Sequence, residues 1–196
     1  DKTPWKLVFL FFAIGIILRA PVFLEPHDEG DEIIYTFLVD QLRDGKGYTL
    51  QGTPLIEFDI LDKQQYGRKL FFHPPGGVGL FWLFDSIFGS NGFPMVQMTF
   101  YSLFFWAMIM AACFLGLPPL AVILTGILSA VNPIIVHVNT HFWLDGPLVA
   151  LCVLSLAIFI RALQNRSVLW AVAAGFVLGL ASLVKITAFL VMPGFA

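Results

Sequence analysis

Between His27 and Leu42 the chain reads "HDEGDEIIYTFLVDQL", with four carboxylates in the five positions Asp28 to Glu32. They follow closely on the apolar run "LVFLFFAIGIIL". Carboxylates at such an edge have two uses. They can cap a helix and complement its dipole, or they can take a proton from a reacting group or hold a cation at a membrane surface. Capping accounts for one or two of the four. Other residue types able to do chemistry are spread along the chain: Arg19, His73, Asp145 and Lys185. A base and an anion-binding group are therefore available if the fold brings them together.

The elements that would do so are hydrophobic. The chain has 196 residues, of which 58% are hydrophobic and 12% charged, and its mean hydropathy is +0.84. Soluble domains carry about 25% charged residues, so the composition is that of a membrane protein. Ten of the thirteen acids lie between Glu25 and Asp62, joined there by Arg43, Lys46, Lys63, Arg68 and Lys69. Beyond Lys69 only Asp85, Asp145, Arg161, Arg166 and Lys185 are charged, and no basic patch suggests nucleic acid. Cys113 and Cys152 sit in apolar runs and act as small hydrophobes.

A membrane helix needs about 20 apolar residues. The spacing predicts five spans, Trp5 to Leu24, Phe93 to Leu117, Leu120 to Val138, Pro147 to Leu163, and Val168 to at least Phe189. The expected fold is thus an all-α polytopic membrane protein of about five transmembrane helices. It is read as one module over 1–196, an N-terminal fragment of a longer protein, with a long first loop over 25–75. Inside that loop Ile34, Phe37, Leu38 and Leu42 recur at helical spacing, with Asp28 or Asp31 placed to cap the helix. The piece Gly76 to Gly89 is too short for a span and reads as interfacial. Pro74 and Pro75 hold His73 on extended backbone ahead of it.

Lys2 and Lys6 precede the first span, and Arg161 and Arg166 separate the fourth from the fifth. Both places can be cytoplasmic, which puts the acidic loop and Asp145 outside. At 1.5 Å per residue Arg19 lies roughly 21 Å along its helix and Lys185 roughly 26 Å along its own. Arg19, the acidic cluster, His73, Asp145 and Lys185 then share one leaflet. Charges within spans are costly and usually functional, so five polar elements on one side point to one site. For Arg19 the plainer alternative is a side chain snorkelling to headgroups. His137 and His141, at the outer end of the third span, read as ordinary interfacial residues.

The first span followed by "GDEIIYTFLVDQLRDGKGY", then "FFHPP", then "FWLDGPLVAL" resembles the GT-C superfamily of membrane glycosyltransferases. The resemblance is closest to the branch of protein O-mannosyltransferases and lipid A aminoarabinose transferases. It implies transfer of a hexosyl or pentosyl group from a polyprenyl-phosphate donor (undecaprenyl or dolichyl), with inversion, at the extracytoplasmic face of a bacterial inner or plasma membrane or of the ER membrane. Lipid-linked donor and membrane lipids are then the partners, and the acceptor is a protein, lipid or glycan. Matching the motif Gly-Asp-Glu-x-x-Tyr gives Asp31 as general base, Glu32 as the residue orienting or binding beside it, and Tyr35 as an additional site residue with Asp145. Lys185, with His73 and Arg19 assisting, would stabilise the departing phosphate. His73 departs from the aminoarabinose branch, which has lysine there, and Lys185 is followed by Ile186 where glycine is common. Oligosaccharyltransferase relatives hold a divalent cation with carboxylates, and Asp31 with Asp145 would be the pair here. The branch resembled generally works without metal, so no cofactor is expected. The rival readings are a transporter or flippase of lipid-linked substrates, with its charges near the midplane, and a non-catalytic membrane subunit whose acidic loop binds a partner.

Overall fold

The computed structural model describes residues 4–24, 30–71 and 73–195, with side chains described as far as residue 190. Lys2 and the acids Glu25, Asp28 and Glu29 lie outside the described residues. Among the described residues there are ten α-helices and no strand.

Helix α1 (Trp5–Arg19) runs into a 3₁₀ turn, Ala20–Phe23. Its small Gly15 faces helix α6 (Gly92–Phe114), where a Cβ would collide with the Tyr101 hydroxyl. Phe12 packs on Tyr101, Phe105 and Trp106, and Phe9 on Trp106, so the two helices run antiparallel. Leu10 and Ile17 stay exposed on the other side, where a bilayer is their natural solvent.

The expected third span is broken. Helix α7 (Pro119–Val131) and helix α8 (Pro133–Thr140) meet at a 44° bend. Pro133 has no N–H to donate, and the Asn132 side chain accepts from the Ile134 and Ile135 amides, starting a new helix. Helix α9 (Asp145–Asn165) runs parallel to α6, then Arg166 at φ 48° reverses the chain into helix α10 (Val168–Val184). Ser155 Oγ donates to the Ala174 carbonyl at 2.8 Å and holds α9 against α10.

Trp5–Phe23, the stretch Pro75–Phe114 that contains α6, and Asp145–Asn165 are long and apolar enough to cross a membrane, and the bent pair makes a fourth. The fifth expected span is shorter as an α-helix: α10 has 17 residues, breaks at Lys185 (φ −153°, ψ 130°) and continues as the 3₁₀ segment Ile186–Phe195.

Between α1 and α6 lies the polar segment. Helix α2 (Asp31–Arg43) buries Ile34 and Leu38 as its periodicity requires, with Phe37 and Leu42 half-buried. Its cap is Gly30 at φ 53°, without a side-chain bond, so Asp31 is the first helical residue and the capping role open to it is not the one it takes. Two short helices follow, α3 (Pro54–Glu57) and α4 (Lys63–Tyr66). Thr49 donates to the Arg68 carbonyl at 2.7 Å, the Gln51 side chain to Gly67 at 2.8 Å, and the Phe71 amide to Tyr48 at 2.8 Å. These bonds lay residues 48–51 alongside 67–71 and deliver His73 to helix α5 (Pro75–Phe88). That helix packs on α2, α6 and α10, and Arg43 reaches Asp85 at 3.4 Å. It bridges helix ends, through Gly76 to Leu183 of α10, Gly77 to Leu144 and Phe81 to Phe93 of α6.

Candidate active site

The short connection ahead of α9 is fixed from three directions. The Phe142 amide donates to Glu32 Oε1 at 2.7 Å, and Gln97 Nε2 donates to the Trp143 carbonyl at 2.9 Å. Leu144 is buried and lies where Gly77 has no side chain. A Cβ on Gly146 would come within 2.6 Å of Gln97 Oε1 and 2.7 Å of Asn139 Nδ2, so the helix start needs a glycine. Asp145 is thereby held at the first residue of α9. Lys185 reaches it from the break at the end of α10, donating to Asp145 Oδ1 at 2.8 Å and Oδ2 at 3.0 Å. The pair is 24% and 39% exposed, open enough to meet a ligand.

Asp31 and Tyr35 stand one helical turn apart, and the Tyr35 hydroxyl lies 3.5 Å from Asp31 Oδ2. Burial first, then the charges of Asp31 and Asp145, push the phenol above its ordinary value, so it stays protonated. His73 is held below its ordinary 6.5, chiefly by burial, with Lys185 adding to the effect and Asp31 opposing it. Both charges therefore act on the His73 ring, as both carboxylates act on Tyr35. Asp31, Tyr35, His73, Asp145 and Lys185 form one electrostatic cluster drawn from three helices and a loop.

Three cavities adjoin it. One of about 180 Å³ is apolar, lined by Gly76, Leu80, Phe100, Leu151, Leu183 and Val184 among others, and ends next to Lys185. A second of about 400 Å³ has Tyr48, Arg68 and His73 in its wall. A third of about 380 Å³ is lined by Gly30, Asp31, His137, His141 and Trp143.

Two further expected site residues are buried. Glu32 is 3% exposed and its carboxylate holds the Phe142 amide, which makes it a positioning residue. Arg19 is fully buried inside the bundle and does not snorkel to headgroups. Its guanidinium donates to Gly15 O at 2.8 Å, Ala130 O at 3.0 Å, Ser129 O at 3.5 Å and Asn139 Oδ1 at 3.3 Å. It also lies 3.6 Å from the centre of the Tyr101 ring. The physical reason is Pro133, which has no N–H for the Ser129 carbonyl four residues back. The Ile134 amide, meanwhile, goes to Asn132 instead of Ala130. Arg19 satisfies both orphaned acceptors.

Among the described residues no group of three or more His, Cys, Asp or Glu could hold a metal ion. The carboxylate of Asp145, one of the pair expected to hold such a cation, is engaged by Lys185. Gln97 and Gly146 were not foreseen as part of the site. A lone glutamine in an apolar 23-residue helix was the available signal.

The sequence profile of the dolichyl-phosphate-mannose-protein mannosyltransferases matches residues 72–196. The match includes His73, Asp145 and Lys185 and does not extend to Asp31, Glu32 or Tyr35. No curated protein and no solved structure matches the chain. Well over half of its length carries the family pattern, on an all-helical frame with spans of membrane length. The chain belongs to the dolichyl-phosphate-mannose-protein mannosyltransferase family, a family of membrane glycosyltransferases.

Proposed function

We propose that the protein transfers a sugar from a polyprenyl-phosphate carrier to an acceptor hydroxyl, with inversion at the anomeric carbon. The observation that carries this reading is the Lys185–Asp145 pair, with Lys185 set directly after Leu183 and Val184 in the wall of the apolar cavity. A lipid phosphate has the matching shape: an apolar tail, one anionic group, and a reactive carbon next to it.

In the step itself the acceptor oxygen attacks the anomeric carbon and its proton passes to the Asp31 carboxylate. The bond from that carbon to the phosphate oxygen breaks, and the electron pair leaves with the phosphate. Lys185 and the neutral His73 ring meet the departing charge in a partly water-excluded place, where fixed donors count most. Asp145 aims the ammonium, and Tyr35 steadies the base. Leu80, Leu183 and Val184 cover the first isoprenoid units. The basic residues Arg161 and Arg166 lie at the far end of α9 from Asp145, which by the positive-inside rule supports an extracytoplasmic site.

The test is direct. Purified protein in lipid nanodiscs is incubated with polyprenyl-phosphate hexose, and the product's anomeric configuration is read by NMR. Opposite configuration to the donor supports the proposal. A retained configuration, or no sugar leaving the carrier, rejects it.

A further inference from the structure

The mechanism leaves His137, His141 and Trp143 without a task, although they share a cavity of about 380 Å³ with Asp31. The three rings pack on one another as a fixed wall. His137 and His141 have centroids 4.3 Å apart, His141 and Trp143 are 4.9 Å apart, and His137 meets Trp143 edge-on at 5.1 Å. The wall is anchored at its root, since Gln97 holds the Trp143 carbonyl and Glu32 the amide before it. His141 Nδ1 lies 2.9 Å from the His137 carbonyl. A carbonyl only accepts, so Nδ1 is the donor in that contact.

An indole and two imidazoles on one wall, a carboxylate on the other, and no cation among the lining residues describe a small amphipathic ligand. Its apolar face would lie on the rings, and hydroxyls would donate to Asp31 and to an imidazole nitrogen. A pyranose has this make-up, with C–H bonds on its faces and hydroxyls at its rim. The cavity and the apolar groove share no lining residue, so two ligands can be held at once.

We propose that the cavity walled by Asp31, His137, His141 and Trp143 is the acceptor subsite, and that it takes a saccharide hydroxyl. This rests on the glycosyl-transfer reading above. The hydroxyl bound there gives its proton to Asp31 as its oxygen bonds to the donor's anomeric carbon.

The experiment uses the whole chain in nanodiscs, with methyl pyranosides and a Ser/Thr-containing peptide as probes. Binding is read by ligand-observed NMR, and transfer by mass spectrometry with a polyprenyl-phosphate hexose. Expected are pyranoside binding and glycosylation, with Trp143→Ala raising both the Kd and the acceptor KM about tenfold, equal to about 1.4 kcal/mol. The donor KM stays unchanged, which also shows that the variant is folded, and Trp143→Phe retains most of the affinity. Glycosylation of the peptide in preference to pyranosides overturns the proposal, as does pyranoside binding indifferent to Trp143→Ala. Transfer that continues without dependence on Trp143 removes the subsite alone. Pyranoside binding with no transfer from any lipid-phosphate donor removes the acceptor assignment together with glycosyl transfer.

Discussion

Lys185 closes on both oxygens of Asp145 at 2.8 and 3.0 Å, joining the break after α10 to the first residue of α9. In the proposed transfer, the donor phosphate meets an ammonium that is already aimed and only partly covered. Lys185→Met is expected to lower kcat by about 10²–10³, the usual loss for one charge-stabilising donor. Lys185→Arg should recover part of it. Asp145→Asn should cost less, because the ammonium remains but is no longer held. Single-turnover transfer from a lipid-phosphate hexose separates the three.

Glu32 acts through the Phe142 amide, so geometry matters more than charge. Glu32→Gln keeps an oxygen acceptor for that amide and should leave activity within a few-fold. Glu32→Ala leaves a buried N–H unpaired, at a cost of about 1–3 kcal/mol, and frees the connection that carries Asp145. Thermal unfolding in detergent, followed beside turnover, should show Tm and kcat falling together in the Ala variant only.

Arg19 supports the broken span rather than the substrate. Arg19→Met removes the donors from the Ser129 and Ala130 carbonyls inside the bundle, and about 2–4 kcal/mol of stability should go with them. Arg19→Lys restores charge but not the fork that reaches several acceptors at once. In the protein that remains folded, the donor KM should match the wild type. A raised donor KM there would return Arg19 to the phosphate.

The contrast between Arg19 and Lys185 shows what the sequence could and could not tell. Both are single cations near the end of an apolar run, and depth along the helix treats them alike. What separates them is Pro133, more than a hundred positions from Arg19, whose missing N–H creates the acceptors that Arg19 fills. The helical spans were legible because apolar runs of that length have few alternatives. The bend at Asn132–Pro133 was written in the sequence too, yet "VNPIIV" inside an unbroken apolar run reads as span. Asp31 was visible, but its freedom from capping was not, since Gly30 at φ 53° takes the cap position. The histidines and Trp143 looked like interface residues because nothing in their spacing reveals that α2 sets a carboxylate opposite them.

His73 gives the account a pH dependence with a definite sign. Its ordinary value is 6.5 and burial, helped by Lys185, lowers it in the folded protein. Above 6.5 both states are neutral and His73 contributes nothing. As pH falls through 6.5 the unfolded chain binds the proton first, so stability declines, levelling off once the folded value is passed. Replacing His73 with Gln should remove that part of the loss. The difference in Tm between wild type and His73→Gln, followed from pH 7.5 downward, should shift against the wild type on acidification.

The most direct measurement is turnover by Asp31→Asn, made beside donor binding by the same variant. The amide keeps the size of the side chain and cannot take the acceptor's proton. Donor affinity and thermal stability near the wild-type values, with kcat reduced by about 10²–10⁴, are the predicted result. Sugar transfer at the wild-type rate would contradict the account at its centre.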